Sequence, residues 1–265
     1  MKYDDKSLFT FHFSLFTFIM LLAIDIGNSF TKFGIFEGTA LLRRFAVPTV
    51  RGQKAVAIDE QKFDHPIDAV IISSVVPQLN DSYLEFSKSR FRIEPIFVDN
   101  SFDLNLQIKY FPPESLGVDR LINAFAAAEL YGKPCIACSF GTATTIDAIN
   151  SKGEYLGGTI APGINLMSEA LFRKTAKLPQ VEIVKPASVI GNTTDKSIQA
   201  GIYFGYIGLV EGIIERMRGI LGEKSKVIAT GGAAGIVAEN SGKIDVVNEN
   251  LLLEGLRLVY EKRFR

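Results

Sequence analysis

Residues 21–32 read LLAIDIGNSFTK, an apolar run that meets one carboxylate at Asp25, turns at Gly27 and passes into small polar residues. Leu21 to Ile26 is apolar apart from Asp25, the pattern of a strand covered on both faces, and Phe30 to Phe36 supplies an antiparallel return. A carboxylate within such a strand is costly to bury unless it is paired, hydrogen-bonded or bound to a cation. Asp25 is therefore expected at the strand's end, facing a site. Gly27 lets a backbone or ligand come close, and Asn28, Ser29, Thr31 and Lys32 offer donors suited to phosphate oxygens. The stretch reads as a phosphate-binding hairpin with a magnesium-facing acid, although Asp-x-Gly-Asn also makes ordinary turns.

The same theme returns further along the chain. Cys135 to Phe140 is an apolar strand that turns at Gly141 into Thr142, Thr144 and Thr145 and comes back through Ile149. A third strand, in VIATGGAAG at 227–235, runs into a glycine turn before a helix. Two strand-glycine-polar-strand units in one chain indicate a duplicated fold whose halves face each other across a cleft. The halves are expected at 20–133 and 134–265. Further strands are expected at Leu41–Val50, Asp68–Val76 and Pro95–Asp99, with a helix capped by Asn80 or Asp81 and running to Phe91. Hairpins followed by alternating strands and helices make the class α/β. A loop at 104–116, with Tyr110, Pro112 and Pro113, delivers the chain into GVDR at 117–120 and then the helical stripe LINAFAAAELYG. Asp119 thus falls in the first turn of a helix, either serving the helix dipole with Arg120 as its partner or facing a site. Amphipathic helices are expected at Leu166–Leu178 and Glu249–Arg263.

Composition narrows the function classes. Lys plus Arg equals Asp plus Glu at 29 each, with no long basic run, so electrostatics give no support to nucleic-acid binding. Cys135 and Cys138 stand three apart on a strand, point to opposite faces and read as core thiols of a reducing compartment rather than a metal pair. The two histidines, His12 and His65, are poorly placed for histidine catalysis. Residues 1–19 are rich in Phe but carry acidic residues and no small-residue cleavage site; they read as an appendage before a working start at Met20. Ile198–Ile214 is apolar enough to invite a membrane span, but Gln199, Glu211 and its glycines favour a buried helix able to pack closely on another.

Taken together, DIGNS at 25–29, SSVVP at 73–77, YFPPESLGVDR at 110–120, GTATTID at 141–147, GGTIAPGINLM at 157–167, GNTTDKSIQAG at 191–201 and ATGGA at 229–233 resemble the type III pantothenate kinases. That family belongs to the superfamily of actin, sugar kinases and Hsp70-type ATPases, so the resemblance implies a duplicated RNase H-like fold with a nucleotide cleft between its halves. It also implies ATP with Mg²⁺, pantothenate as acceptor, a cytoplasmic homodimer and the first step toward coenzyme A. By resemblance, the stretch Asp25, Ile26, Gly27, Asn28, Ser29, Phe30, Thr31 and Lys32 is the first phosphate loop, with Asp25 organising magnesium through water. Thr142 is similar to an ATP-phosphate contact and Asp119 to the catalytic base. Tyr110, Gly117, Val118 and Arg120 resemble pantothenate contacts, and Thr194 a contact that commonly comes from the neighbouring subunit. Val118 stands where the family often has Ala.

One departure matters more. The family pattern has an acid, binding potassium or ammonium, two residues before the glycine of GTATT, and this chain has Ser139. A hydroxyl can coordinate a monovalent cation but supplies no charge, which leaves a weaker site, a site rebuilt from other groups or an enzyme of reduced activity. Two other readings therefore stand beside the kinase: a nucleotide-binding regulator with weakened turnover, and a kinase of the same superfamily with another acceptor.

Overall fold

β1 (Met20–Ile26) and β2 (Phe30–Glu37) form the expected hairpin, with Asp25 opposite Lys32. They are joined by β3 (Ala40–Pro48), antiparallel to β2, and by β4 (Ala69–Ser74) and β5 (Ile96–Phe97), which continue parallel to β1 in the order β3-β2-β1-β4-β5. This is a computed structural model and describes residues 19–52 and 63–264. The expectations for His12 and for an appendage at the amino terminus lie outside the described residues.

The second sheet repeats the first. β7 (Cys135–Phe140), β8 (Ala143–Ile149) and β9 (Glu154–Pro162) are a meander, and β10 (Lys226–Thr230) and β11 (Val246–Val247) extend it in parallel on the other side. Its order, β11-β10-β7-β8-β9, matches β5-β4-β1-β2-β3 strand for strand. A two-residue strand, β6 (Gln107–Ile108), adds to the β9 edge from within the 104–116 loop. β9 was not expected, because LGG interrupts its alternation and a bulge opposite Ala148/Ile149 shifts its register.

Helices fill the space around and between the sheets. α1 (Asn80–Phe91) covers one face of β1 through Tyr83 and Phe86, which join Leu22, Ile24, Ile26 and Phe33 in one cluster. Neither Asn80 nor Asp81 caps it: a 3₁₀ turn at Pro77–Leu79 runs straight into the helix, and no side-chain cap bond forms. α2 (Val118–Tyr131) packs on β7 and β8, whereas α6 (Leu251–Phe264), from the other end of the chain, packs on β1, β2 and β4. The two helices touch along a small-residue seam. A Cβ on Gly255 of α6 would lie 2.6 Å from Ile122 Cγ2 of α2, so only glycine permits this approach. Leu21, Ala23, Cys135, Ala137 and Ile228 all join this central layer, so corresponding faces of the two sheets look toward it. Cys138 falls in a different cluster from Cys135, as opposite faces of one strand require.

α3 (Ile164–Lys174), α4 (Thr194–Leu221) and α5 (Ala234–Asn240) complete the described helices. α4 starts from Thr193, whose Oγ1 accepts the Lys196 amide at 3.3 Å. It is long and apolar enough to cross a membrane by length and composition, with 44% of its most apolar window buried by the chain's own packing.

Candidate active site between the sheets

Strand parity decides what faces the central layer. Leu21 and Ala23 point into it, so Asp25, two residues on, points the same way at the end of β1. The carboxylate is 4% exposed. Ser73, its neighbour across the parallel β1–β4 pair, donates its hydroxyl to Asp25 Oδ1 at 3.1 Å, and Lys32 Nζ lies 3.7 Å from Oδ2. Burial pushes Asp25 from the ordinary 3.8 to about 6, Lys32 pulls it down, and the negative charge of Asp119 raises it further. Asp25 and Asp119 therefore share one electrostatic environment.

The hairpin turn closes through Gly27 N–H to Phe30 O at 3.1 Å and is braced by Thr49, whose hydroxyl donates to Gly27 O at 2.8 Å. Asn28, Ser29 and Phe30 are exposed at its tip. Two members of the expected phosphate loop turn away: Ile26 is fully buried in the α1-side cluster, and Thr31 is fully buried with its hydroxyl against Thr49 Oγ1 at 3.1 Å. The Thr31 side chain is thus not among the donors offered to a ligand, because the strand's alternation sends it inward.

The second hairpin faces the first. Gly141 N–H bonds Ala143 O at 3.1 Å, as Gly27 does Phe30, and Ser29 Oγ lies 2.7 Å from Thr142 Oγ1. The third glycine turn backs onto the same place. Ala233 N–H donates to Phe140 O at 3.2 Å, and a Cβ on Gly231, at φ +93°, would come within 2.6 Å of that oxygen.

Asp119 is half-buried in the first turn of α2, where its Oδ1 accepts the Arg120 amide at 2.9 Å. Arg120 is not its ion partner. The guanidinium turns into the protein, 5% exposed, and meets Asp147 of β8 along one edge: Nη2 to Oδ1 at 2.6 Å and Nε to Oδ1 at 3.1 Å. Burial opposes the Arg120 charge, but Asp147 outweighs it and holds the guanidinium pKa above its ordinary value. The Tyr155 hydroxyl donates to Asp147 Oδ1 at 2.7 Å, and the Tyr110 ring lies 5.5 Å from the guanidinium carbon. Burial raises the Asp147 carboxyl, against the pull of Arg120 and with a further push from Asp119. Gly117 is the N-cap residue of α2, whereas the Val118 side chain is buried in the central core.

Tyr110, Arg120, Asp119 and Asp25 are thus brought together, with Ser29 and Thr142 meeting at the tips of the two hairpins. Thr194 is not in contact with this group: it is exposed at the start of α4, on a cavity of about 1290 Å³ between α3 and α4 that is lined by Leu166, Met167, Leu171 and Ile198 and reaches Pro162 at the end of β9. Sequence reasoning passed over Asp147, Tyr155 and Ser73. Asp147 carried a usable signal, since it interrupts the apolar strand ATTIDAI as Asp25 interrupts LLAIDI. Tyr155 and Ser73 carried none.

The sequence model of type III pantothenate kinase matches residues 21–216. The chain belongs to the type III pantothenate kinase family. It is 44% identical over 250 residues to the type III pantothenate kinase of Myxococcus xanthus, covering 91% of this chain and 98% of the relative. It is 41% identical over 253 residues to that of Halalkalibacterium halodurans, covering 92% and 99%. Among solved structures, a Baf family protein from Campylobacter jejuni superposes with a TM-score of 0.60 at 21% identity over 91% of this chain and 98% of its own. Component A of the (R)-2-hydroxyglutaryl-CoA dehydratase of Acidaminococcus fermentans gives a TM-score of 0.51 at 13% identity, covering 93% and 100%. At such identities the likeness concerns the fold, which is the duplicated actin-like ATPase and sugar-kinase architecture.

Proposed function

We infer that the protein transfers the γ-phosphoryl group of ATP to the primary hydroxyl of pantothenate, giving 4'-phosphopantothenate at the first step of coenzyme A synthesis. The observation that carries this reading is the convergence, in a member of this family, of Asp25, Asp119 and the two hairpin tips joined by Ser29 and Thr142. Phosphoryl transfer asks little covalent chemistry of a protein: an aligned nucleophile, a base in reach, and charge to hold the spreading negative transition state. Asp119 orients the acceptor hydroxyl and takes its proton as the new O–P bond forms and ADP leaves. The tip of the 25–32 loop and Thr142 hold phosphate oxygens through backbone and hydroxyl donors. Arg120, beside Tyr110, receives the pantothenate carboxylate with the donors that Asp147 leaves over.

A buried carboxylate with a raised pKa suits a divalent cation, which would restore its ionised form; Asp25 is the residue to hold it, through water, and the ion would supply charge neutralisation on the phosphates. The residues fit the family's monovalent cation poorly: Ser139, with hydroxyl-bearing Thr145 and Thr230 as its cross-strand neighbours, offers oxygen ligands but none of the charge of a carboxylate. No step is assigned to potassium or ammonium.

The division into halves at 20–133 and 134–265, a cytoplasmic location, a homodimer, and independence from nucleic acid and membrane belong to the same reading. A dimer is supported by α4: Cβ atoms on Gly201, Gly205 and Gly208 would meet nothing within 4 Å, leaving a flat apolar face for a second helix. Thr194, at the start of that helix, would then complete the partner's acceptor site. The weakened regulator and the kinase with another acceptor are not favoured, since the relatives above carry the pantothenate kinase name. An ADP-release assay tests the reading: release must depend on pantothenate, and ATP binding without pantothenate-dependent release would refute it.

A further inference from the structure

We propose that Asp147, held by the Tyr155 hydroxyl, is a positioning residue for the acceptor: it locks Arg120 so that the guanidinium's remaining donors meet the carboxylate of pantothenate. This rests on the role given to Arg120 above.

The geometry is specific. Asp147 takes the Nε–Nη2 edge of the guanidinium, at 3.1 Å and 2.6 Å, so Nη1 and the outer hydrogen of Nη2 face away from it, on the side where Tyr110 also interacts with the guanidinium. Tyr155, itself fully buried, bonds the same carboxylate oxygen and so fixes its rotamer. A free arginine loses much rotamer freedom when it grips a ligand; one already clamped has lost it on folding.

The duplication supplies an internal control for a purely structural role. Ala137 pairs with Asp147 in the second sheet, and Ala23, four residues before its own turn glycine as Ala137 is, pairs with Gly34 in the first. The same position in the same topology thus carries a carboxylate in one half and nothing in the other. The fold does not call for an acid there, and a buried ion pair is weak evidence of stabilisation. The neighbouring strand also makes room for it. Gly158 stands directly opposite Asp147, where a Cβ would collide with the Ile146 carbonyl oxygen and with Asp147 Oδ1.

The test compares Tyr155→Phe, Asp147→Asn and Arg120→Ala by steady-state kinetics on the full chain. Affinity for pantothenyl alcohol, which has a hydroxyl in place of the carboxylate, is measured alongside as an inhibition constant. Tyr155→Phe keeps the ion pair and the packing, so it should fold even where Asp147→Asn does not. Expected are a pantothenate KM raised about tenfold in Tyr155→Phe and about a hundredfold in Asp147→Asn, with little change in kcat or in the KM for ATP. The inhibition constant for the alcohol should not move. Adding Arg120→Ala to Tyr155→Phe should cost nothing beyond Arg120→Ala alone. A melting temperature that falls while the pantothenate KM stays fixed overturns the proposal, as does an equal loss for the acid and the alcohol. If Arg120→Ala itself leaves the pantothenate KM unchanged, the role of Arg120 fails instead; if it raises KM and Tyr155→Phe does not, only the present inference fails.

Discussion

Replacing Asp25 by Asn should make the protein more stable and nearly inactive. Burial raises the carboxyl from 3.8 to about 6, with Lys32 opposing and Asp119 adding to the shift. A group whose folded pKa lies above its unfolded value binds more protons in the folded state between those two values, so its ionisation weakens the fold as pH rises through that window. The cost is absent below about pH 4, grows by about 1.4 kcal/mol per pH unit, and is complete above about pH 6, where it amounts to roughly 3 kcal/mol. Asn keeps an acceptor for the Ser73 hydroxyl and never ionises. Against wild type, Asp25→Asn should therefore gain up to about 3 kcal/mol at pH 8, or several degrees in Tm, and nothing at pH 4. Urea unfolding of the ligand-free protein at pH 4, 5, 6 and 8 reads this directly. Addition of ATP with Mg²⁺ should then stabilise wild type and leave the variant unmoved. A difference that stays constant from pH 4 to pH 8, or a variant less stable than wild type at pH 8, would refute the reasoning.

Asp119→Asn should lower kcat by about 10²–10⁴ because the amide cannot take a proton, while Tm should not fall, since losing its charge only relieves Asp25 and Asp147; turnover close to wild type removes it as base. Exchange of sodium for potassium or ammonium should not alter ADP release, given the hydroxyls at Ser139, Thr145 and Thr230; strong activation by potassium would show that other groups rebuild the site. Gly255→Val should destabilise by about 1–3 kcal/mol through collision with Ile122, read as a lower urea midpoint, and a neutral result would mean the α2–α6 seam can open. If the protein is the dimer proposed, Gly205→Phe, on the open face of α4, should leave Tm intact and shift the mass in light scattering from dimer to monomer; a variant that stays dimeric excludes this face, and a monomeric wild type refutes the dimer.

Much of this molecule is written locally. The apolar run to Asp25, the glycine turns and the returning strands fold into hairpins because burial on both faces and the turn are decided within a dozen residues. The repeat of that unit was enough to expect two matching sheets, and the stripe after GVDR was enough to put Asp119 in the first turn of α2. That Asp25 stands at the end of β1 with partners for its carboxylate also followed from sequence, since an unpaired carboxylate is costly inside an apolar strand.

What the chain alone left open are choices made by residues far apart. From sequence Asp119 was the only partner offered to Arg120, and the packing of α2 against β8 turned the guanidinium to Asp147 instead. Ser29 meets Thr142 because two hairpins face each other, and Thr31 turns inward because strand parity, once the buried faces are set, permits nothing else. Thr194 lines the cavity between α3 and α4 because α4 begins there. Alternation and turn chemistry act between neighbours in sequence, whereas the partner of a buried charge is selected by which surfaces the folded chain presses together.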